Sequence, residues 1–335
     1  MITMKKALVN IINFTFIFLL SLSITARSEI KVVTSIKPIH SLASYLMQGI
    51  GSPSLIVEGS NSPHNFTLKP SHAKMLQQAD LVFWVGENLE TPLEKPIKSI
   101  SKKSKVIELL EINGLKKLEF REKNIFDGHD DHGHKKHDDH GHKKHDDHGH
   151  KKHDDHGHKK HDDHGHAHGD HDPHIWLDPS NAKVIAKKMT KELVSLDKEN
   201  AKTYKENSKK LIKEIDLLIK DIKNNTNKNA SFIVFHDAYQ YFEKKFRVNA
   251  IGALTVNTDI LPGAEQLKDI RNVINKKKAK CIFSEPQFNP NIINAIAKDT
   301  NIKTGVLDPL GSTLPADKNQ YFMLIKNISN SLKPC

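Results

Sequence analysis

An octapeptide, His-Asp-Asp-His-Gly-His-Lys-Lys, occurs four times in succession from His129 to Lys160, and a fifth copy begins at His161 and degenerates after His166. Between Asp127 and Asp172 no apolar side chain is larger than alanine. A stretch of that composition has nothing to bury and cannot offset the entropy of ordering its backbone, so residues 127–172 are expected to form a solvated, disordered insertion. Any core must therefore be assembled from the segments before Phe126 and after Pro173, with the insertion emerging from the first of them.

Those segments alternate. Apolar strand-like runs at Lys31–Ile36, Ser54–Val57, Leu81–Val85 and Val106–Leu110 are separated by helical patterns at Ile39–Met47, Pro70–Ala79 and Leu89–Ile100. The arrangement returns after the insertion, with strands expected at Phe232–Phe235, Ala250–Leu254, Cys281–Ser284 and Thr304–Leu307, each followed by a helix-like segment. Alternation of this kind predicts an α/β fold with mainly parallel sheets. From Asn181 to about Asn225 the pattern is purely helical, with a break at Leu196-Asp197 where the aspartate can cap a new helix. Tyr204, Leu211, Ile215, Leu218 and Ile222 then recur at helical spacings. A helix of about 28 residues spans about 40 Å, more than a crossover needs, and suits a rigid spine joining two lobes. About 300 residues also exceed what one core usually supports. The expected organisation is an N-terminal βα lobe over residues 29–196 carrying the insertion, a linker helix over 197–226 and a C-terminal βα lobe over 227–335.

The first 28 residues are set apart from the fold. Two lysines precede an almost wholly apolar stretch from Ala7 to Ile24, which ends in Ala26-Arg27-Ser28, the pattern of an export signal cleaved near Ser28. An uncleaved anchor is the alternative. With no cysteine at the exit there is no lipid attachment site, so a soluble periplasmic product is expected. The two cysteines, Cys281 and Cys335, both fall in the exported part and are expected to pair, stabilising the fold by about 4 kcal/mol; two free thiols are the alternative. The net charge of +11 is spread over lysines on helical faces without interleaved aromatics, which argues against a nucleic-acid partner.

Eighteen of the 22 histidines lie between His129 and His174. His129, His132, His134, His137, His140, His142, His145, His148, His150, His153, His156, His158, His161, His164, His166, His168 and His171 stand beside aspartates at short spacings. Such a string offers imidazole nitrogen and carboxylate oxygen to Zn, Ni, Cu or Co, as an auxiliary metal-binding tract rather than a selective site. A selective site needs ligands held by the fold. His64 lies just beyond the strand ending at Val57, His174 in an Asp-Pro-His turn, and His236 at the end of the strand before it; Asp308 ends another. Loops at strand ends facing a cleft are where βα folds bind ligands. His40 and His72 read as helix-start residues, Asp178 as a helix cap, and Trp84 and Trp176 as core or cleft wall, while Glu285 is a candidate supporter of the site.

The residues Ser-Pro-His64-Asn-Phe with Lys-Pro-Ser71, His174-Ile-Trp-Leu-Asp-Pro179, His236-Asp-Ala-Tyr-Gln-Tyr-Phe242, Phe283-Ser-Glu-Pro286 and Leu307-Asp-Pro-Leu-Gly311 occur in the order of a known family. From about Ile30 to Cys335, with only the repeats interrupting, the chain resembles the zinc-uptake substrate-binding proteins of ABC transporters, the ZnuA type. The resemblance implies two pseudo-symmetric βα lobes joined by a long helix, with Zn2+ between them on His64, His174 and His236. It also implies a disulfide like Cys281 to Cys335 and, as partners, a membrane permease and its cytoplasmic ATPase. Two positions depart from or refine the pattern. Where some members place a glutamate ligand before the first histidine, this chain has Pro63, which leaves the fourth position to Asp308 or water. Manganese-type relatives carry glutamate at the position of His236, and the extra nitrogen here favours Zn over Mn.

The expectation is therefore a monomeric periplasmic zinc carrier, not an enzyme. A shuttle for manganese or another transition metal is the alternative within the family. A zinc hydrolase would need a general base beside the ligands, and no His-Glu-x-x-His helix or nucleophile elbow is present. A metal buffer in which only the repeats matter predicts loss of tight binding on their deletion.

Overall fold

The computed structural model describes residues 29–126, 171–256, 258 and 262–335. The leader expected over residues 1–28 and the repeat histidines from His129 to His168 lie outside them.

In the first half, strands β1 (Val32–Thr34), β2 (Ser54–Leu55), β3 (Leu81–Trp84) and β4 (Lys105–Glu108) alternate with helices α1 (Lys37–Leu46), α2 (Pro70–Gln78) and α3 (Thr91–Ile100). A 3-10 turn, Ile175–Leu177, then leads into α4 (Pro179–Leu196) and α5 (Ala201–Asn225). The second half runs β5 (Phe232–His236), α6 (Gln240–Phe246), β6 (Ala250–Thr255), α7 (Ala264–Lys277), β7 (Cys281–Ser284), α8 (Asn291–Thr300), β8 (Lys303–Val306) and α9 (Gln320–Ser331). Each half makes one four-stranded sheet, in the orders β2-β1-β3-β4 and β6-β5-β7-β8, and every pairing is parallel. The two lobes thus share one winding, and the order in which strands are added reverses between β1 and β3 in the first sheet and between β5 and β7 in the second.

The central strands are buried along their whole length, as Leu-Val-Phe-Trp in β3 and Phe-Ile-Val-Phe-His in β5, because helices cover both faces of such a sheet. In the second lobe Ile233, Phe235, Leu254, Ile270, Ile282 and Ile296 form one apolar cluster between sheet and helices. Proline occupies the first turn of α1, α2, α3 and α4, where its missing N–H costs nothing. Asp178 caps α4 by accepting from the Ser180 amide at 2.7 Å, as its position in the sequence suggests.

The break before the linker helix falls where expected but is made differently. Asp197 closes the end of α4, and α5 begins four residues later behind Asn200. The Asp197 carboxylate accepts from Asn200 Nδ2 at 2.7 Å and from the Tyr204 hydroxyl at 3.0 Å, so it organises the turn instead of capping the new helix. At 25 residues α5 is about 37 Å long. Its buried stripe, Tyr204, Leu211, Ile215, Leu218 and Ile222, packs against α1, α4 and α9, so one helix touches both halves. Asn207 Nδ2 donates to the carbonyls of Leu46 and Gln48, and Thr226 Oγ1 lies 2.7 Å from Ser329 Oγ.

Residues 116–126 form a strap that sequence patterning does not reveal. They leave the first sheet and run to the second, where Ile125 pairs with Gly252 in an antiparallel bridge. The Phe126 amide donates to Ile251 and the Ala253 amide to Asn124, both at 2.8 Å. Gly252 permits the approach: a Cβ there would lie 2.6 Å from the Asn124 carbonyl. The strap covers the β6 edge, so the residues that precede the insertion sit against the second sheet. On its return the chain pairs His171 with Glu119 of the strap, and the Asp172 amide donates to the Leu118 carbonyl at 2.8 Å. A disulfide joins Cys281, the first residue of β7, to Cys335, with their Cα atoms 5.5 Å apart.

Candidate metal centre

The carboxyl ends of the two sheets bring three histidines together. His64 stands in the loop after β2, its amide 3.3 Å from Ser62 Oγ; His174 immediately precedes the 3-10 turn; His236 is the last residue of β5. Each offers a ring nitrogen, and these three atoms lie within 4.8 Å of one another, the one such group among the described residues. The ring centroids are 5.8, 5.9 and 5.2 Å apart for the pairs 64–174, 64–236 and 174–236.

Two of the rings are aimed by buried carboxylates. His174 Nδ1 lies 2.7 Å from Asp172 Oδ1, which also accepts the His174 amide at 2.9 Å. His236 Nδ1 lies 2.8 Å from Glu285 Oε1. A carboxylate accepts the hydrogen bond of the Nδ1–H it faces, which leaves Nε2 of each neutral ring as a lone-pair donor. Those two Nε2 atoms face each other at 3.3 Å. With a proton on one Nε2 this contact is an N–H···N hydrogen bond; with both rings neutral and their protons on Nδ1, the two lone pairs repel unless a metal cation lies between them. Tetrahedral ligation at about 2.0–2.1 Å per bond separates two nitrogens by about 3.3 Å, so the observed spacing fits a zinc-sized ion. No carboxylate among the described residues holds the His64 ring in the same way.

Protonation follows the surroundings. Burial, reinforced by the neighbouring imidazoles, holds His64 and His174 well below the ordinary histidine range. For His236 burial also disfavours the charged ring, but the Glu285 carboxylate, with Asp237 and Asp172 beyond it, more than offsets this and raises its pKa. Burial lifts Asp172 to about 7 and raises Glu285 as well. The centre is thus a trio of nitrogen ligands backed by acidic groups and suited to a divalent cation.

The wall of the cavity includes Pro63, Trp176, Gln287, Phe288, Pro309 and Leu310. Trp176 donates from Nε1 to the Pro309 carbonyl at 2.8 Å, which agrees with its reading as cleft wall. His72 is buried and its Nδ1 accepts the Lys69 amide at the start of α2; His40 is buried in α1 with Nε2 3.1 Å from the Pro53 carbonyl. Neither joins the centre.

Asp308, expected as a possible fourth ligand, is not brought into the group. Its Oδ1 accepts from Leu310 N and Gln287 Nε2, each at 3.0 Å, and its Oδ2 from Ser312 N at 2.6 Å and Ser312 Oγ at 2.8 Å. A carboxylate already held by four donors organises its own loop and has no lone pair to spare for the cavity. His171, counted with the repeats, is engaged in the strap pairing. The residue that sequence reasoning passed over is Asp172. Its signal was the Asp-Pro-His spacing, which lets one carboxylate accept both backbone and ring of the residue two places on.

With this geometry in hand, the profile of the family described as ZnuA, zinc-uptake complex component A, periplasmic, matches residues 32–335. The chain belongs to the ZnuA family. Among its ZnuA relatives, the high-affinity zinc uptake system protein of Brucella abortus strain 2308 is 47% identical over 306 residues, covering 91% of each chain. The Yersinia pestis protein of the same description is 34% identical over 320 residues, covering 91% of this chain and 90% of its own. A solved ZnuA crystal structure superposes with a TM-score of 0.69 at 22% identity, covering 91% of this chain and all of the other. A manganese-bound periplasmic metal-binding protein from Candidatus Liberibacter asiaticus gives a TM-score of 0.65 at 20% identity, covering 89% and 97%. At these identities the two structures establish a shared fold and nothing finer.

Proposed function

We propose that this chain captures Zn2+ in the periplasm on His64, His174 and His236 and delivers it to the permease of an ABC importer driven by a cytoplasmic ATPase. The observation that carries the reading is the 3.3 Å approach of two Nε2 atoms whose other nitrogens are committed to Asp172 and Glu285. Relatives that share most of the chain are high-affinity zinc uptake system proteins. Three nitrogens and no carboxylate in the ligand group favour Zn over Mn. The acids nearest the rings are occupied in orienting them, which supports holding an ion over activating a water for hydrolysis.

In this reading residues 1–28 are an export signal cleaved near Ser28, and residues 29–196 and 227–335 form the lobes around the linker of 197–226. No helix among the described residues is long and apolar enough to cross a membrane. The mature chain acts as a monomer, and the repeat histidines collect ions for the cleft.

Calorimetric titration with Zn, Mn, Ni and Cu of a chain lacking residues 127–170 tests this. The deletion stops short of His171 and Asp172 so that His174 keeps its support. One tight site that prefers Zn over Mn and vanishes in His64→Ala or His236→Ala is the expected result. Tight binding that disappears with the repeats, or that survives both substitutions, contradicts the proposal.

A further inference from the structure

One wall of the cavity carries a polar group that no role yet accounts for. Gln287 follows Glu285 by two residues in the loop after β7 and lines the cavity beside the imidazoles. Its Nε2 donates to Asp308 Oδ1 at 3.0 Å. That contact decides which way the amide faces, because a carboxylate only accepts and must be offered the NH2 group. The carbonyl Oε1 is turned the other way, buried and without a hydrogen-bond partner. A buried acceptor left without a donor is rare and calls for one.

Asp308 is held firmly enough to impose this orientation. The Leu310 amide and both the amide and hydroxyl of Ser312 fix it, and Lys37 Nζ binds the Ser312 and Leu314 carbonyls of the same loop from the first lobe. Gly311, at φ +62, makes the turn between them; a Cβ there would lie 2.5 Å from Gln320 Nε2. The loop that was expected to supply a ligand instead supplies a fixed anchor for a neighbouring amide.

We infer that Gln287 Oε1 is the acceptor for the fourth coordination position, taking a hydrogen bond from a water that completes the tetrahedron beside the three imidazoles. The inference rests on the reading of those imidazoles as the zinc ligands. A water bound to a dication is a strong donor and supplies what the buried carbonyl lacks. Asp308 is then a positioning residue that acts through Gln287. With a water in place of a fourth protein ligand, the ion is retained by three protein bonds, and release requires breaking only those.

The test uses the full chain with Gln287→Met, which keeps length and removes the acceptor together with the Nε2 contact to Asp308, beside His236→Ala and wild type. Zinc affinity is read by competition against a chelator strong enough to strip the repeats. Gln287→Met is expected to bind zinc in the cleft 10–100-fold more weakly, the usual loss for groups behind the ligands. Affinity within twofold of wild type, while His236→Ala has lost the site, overturns the role of Gln287 and leaves the ligand trio standing. If His236→Ala also binds as wild type does, the ligand trio itself is wrong. A crystal structure of the zinc-loaded wild type gives an answer independent of any variant. An ion-bound oxygen about 2.7–3.0 Å from Gln287 Oε1 is the expected arrangement. Ligation by Asp308, direct ligation by Gln287, or an Oε1 turned away from the ion overturns it.

Discussion

His174 and His236 present their Nε2 atoms to each other across 3.3 Å, one ring braced by the carboxylate of Asp172 and the other by that of Glu285. The bracing residues come from different places, Asp172 from the end of the strap pairing and Glu285 from the loop after β7. The relative position of the two nitrogens is therefore set by contacts from both halves of the chain.

Removing either brace frees a ring to rotate and lowers its basicity. Asp172→Ala and Glu285→Ala are each expected to weaken zinc binding 10–100-fold, equivalent to about 1.4–2.7 kcal/mol. Chelator competition measures this, and an affinity unchanged in both variants would show that the rings are held by packing alone.

Acid should release the ion in stages. Each ligand nitrogen must be unprotonated to bind, so protons compete with zinc wherever the pH falls below a ligand's pKa. His236 has a raised pKa and is protonated first, so the affinity of the cleft begins to fall above the ordinary histidine value of 6.5. His64 and His174, with lowered pKa values, add their competition only at more acid pH, and the plot of log Kd against pH steepens there. A flat plot between pH 5 and 7.5 would refute three-histidine ligation.

Arg121 bridges two buried acids next to the centre. Its guanidinium donates to Asp237 at 2.8 Å and to both oxygens of Glu243, at 3.2 and 2.8 Å, and it also lies over the Phe126 ring. Arg121→Ala leaves both carboxylates buried without their cation, and a loss of about 3–5 kcal/mol is expected in urea unfolding of the metal-free protein. Because Asp237 directly follows His236, zinc affinity should fall too. A variant within about 0.5 kcal/mol of wild type would mean that water replaces the guanidinium freely.

Much of this was legible in the residues. The alternation of apolar runs with helical patterns located every strand to within a few residues, because a sheet covered on both faces needs uninterrupted apolar segments. His64, His174 and His236 were recognisable because each follows or ends a strand or lies in a turn outside the repeats, and parallel sheets gather such positions at one end. Asp308 misled because its four donors come from a loop whose shape only the fold determines. The strap was invisible for a related reason. Residues 116–126 alternate only over Leu118-Glu119-Phe120-Arg121, too short a run to read as a strand, and their extended course is dictated by the open edge of β6 and by the space above Gly252.

The pairing of Glu119 with His171 gives the repeats a fixed doorway. Phe126 and His171, which flank the repeats, both lie on paired backbone, so the number of octapeptides between them does not set the positions of His64, His174 and His236. Duplication or loss of whole units changes the tether at a closure cost of only about 0.6 kcal/mol per doubling of length. If the repeats collect ions as proposed, whole units can be gained or lost without moving the three imidazoles.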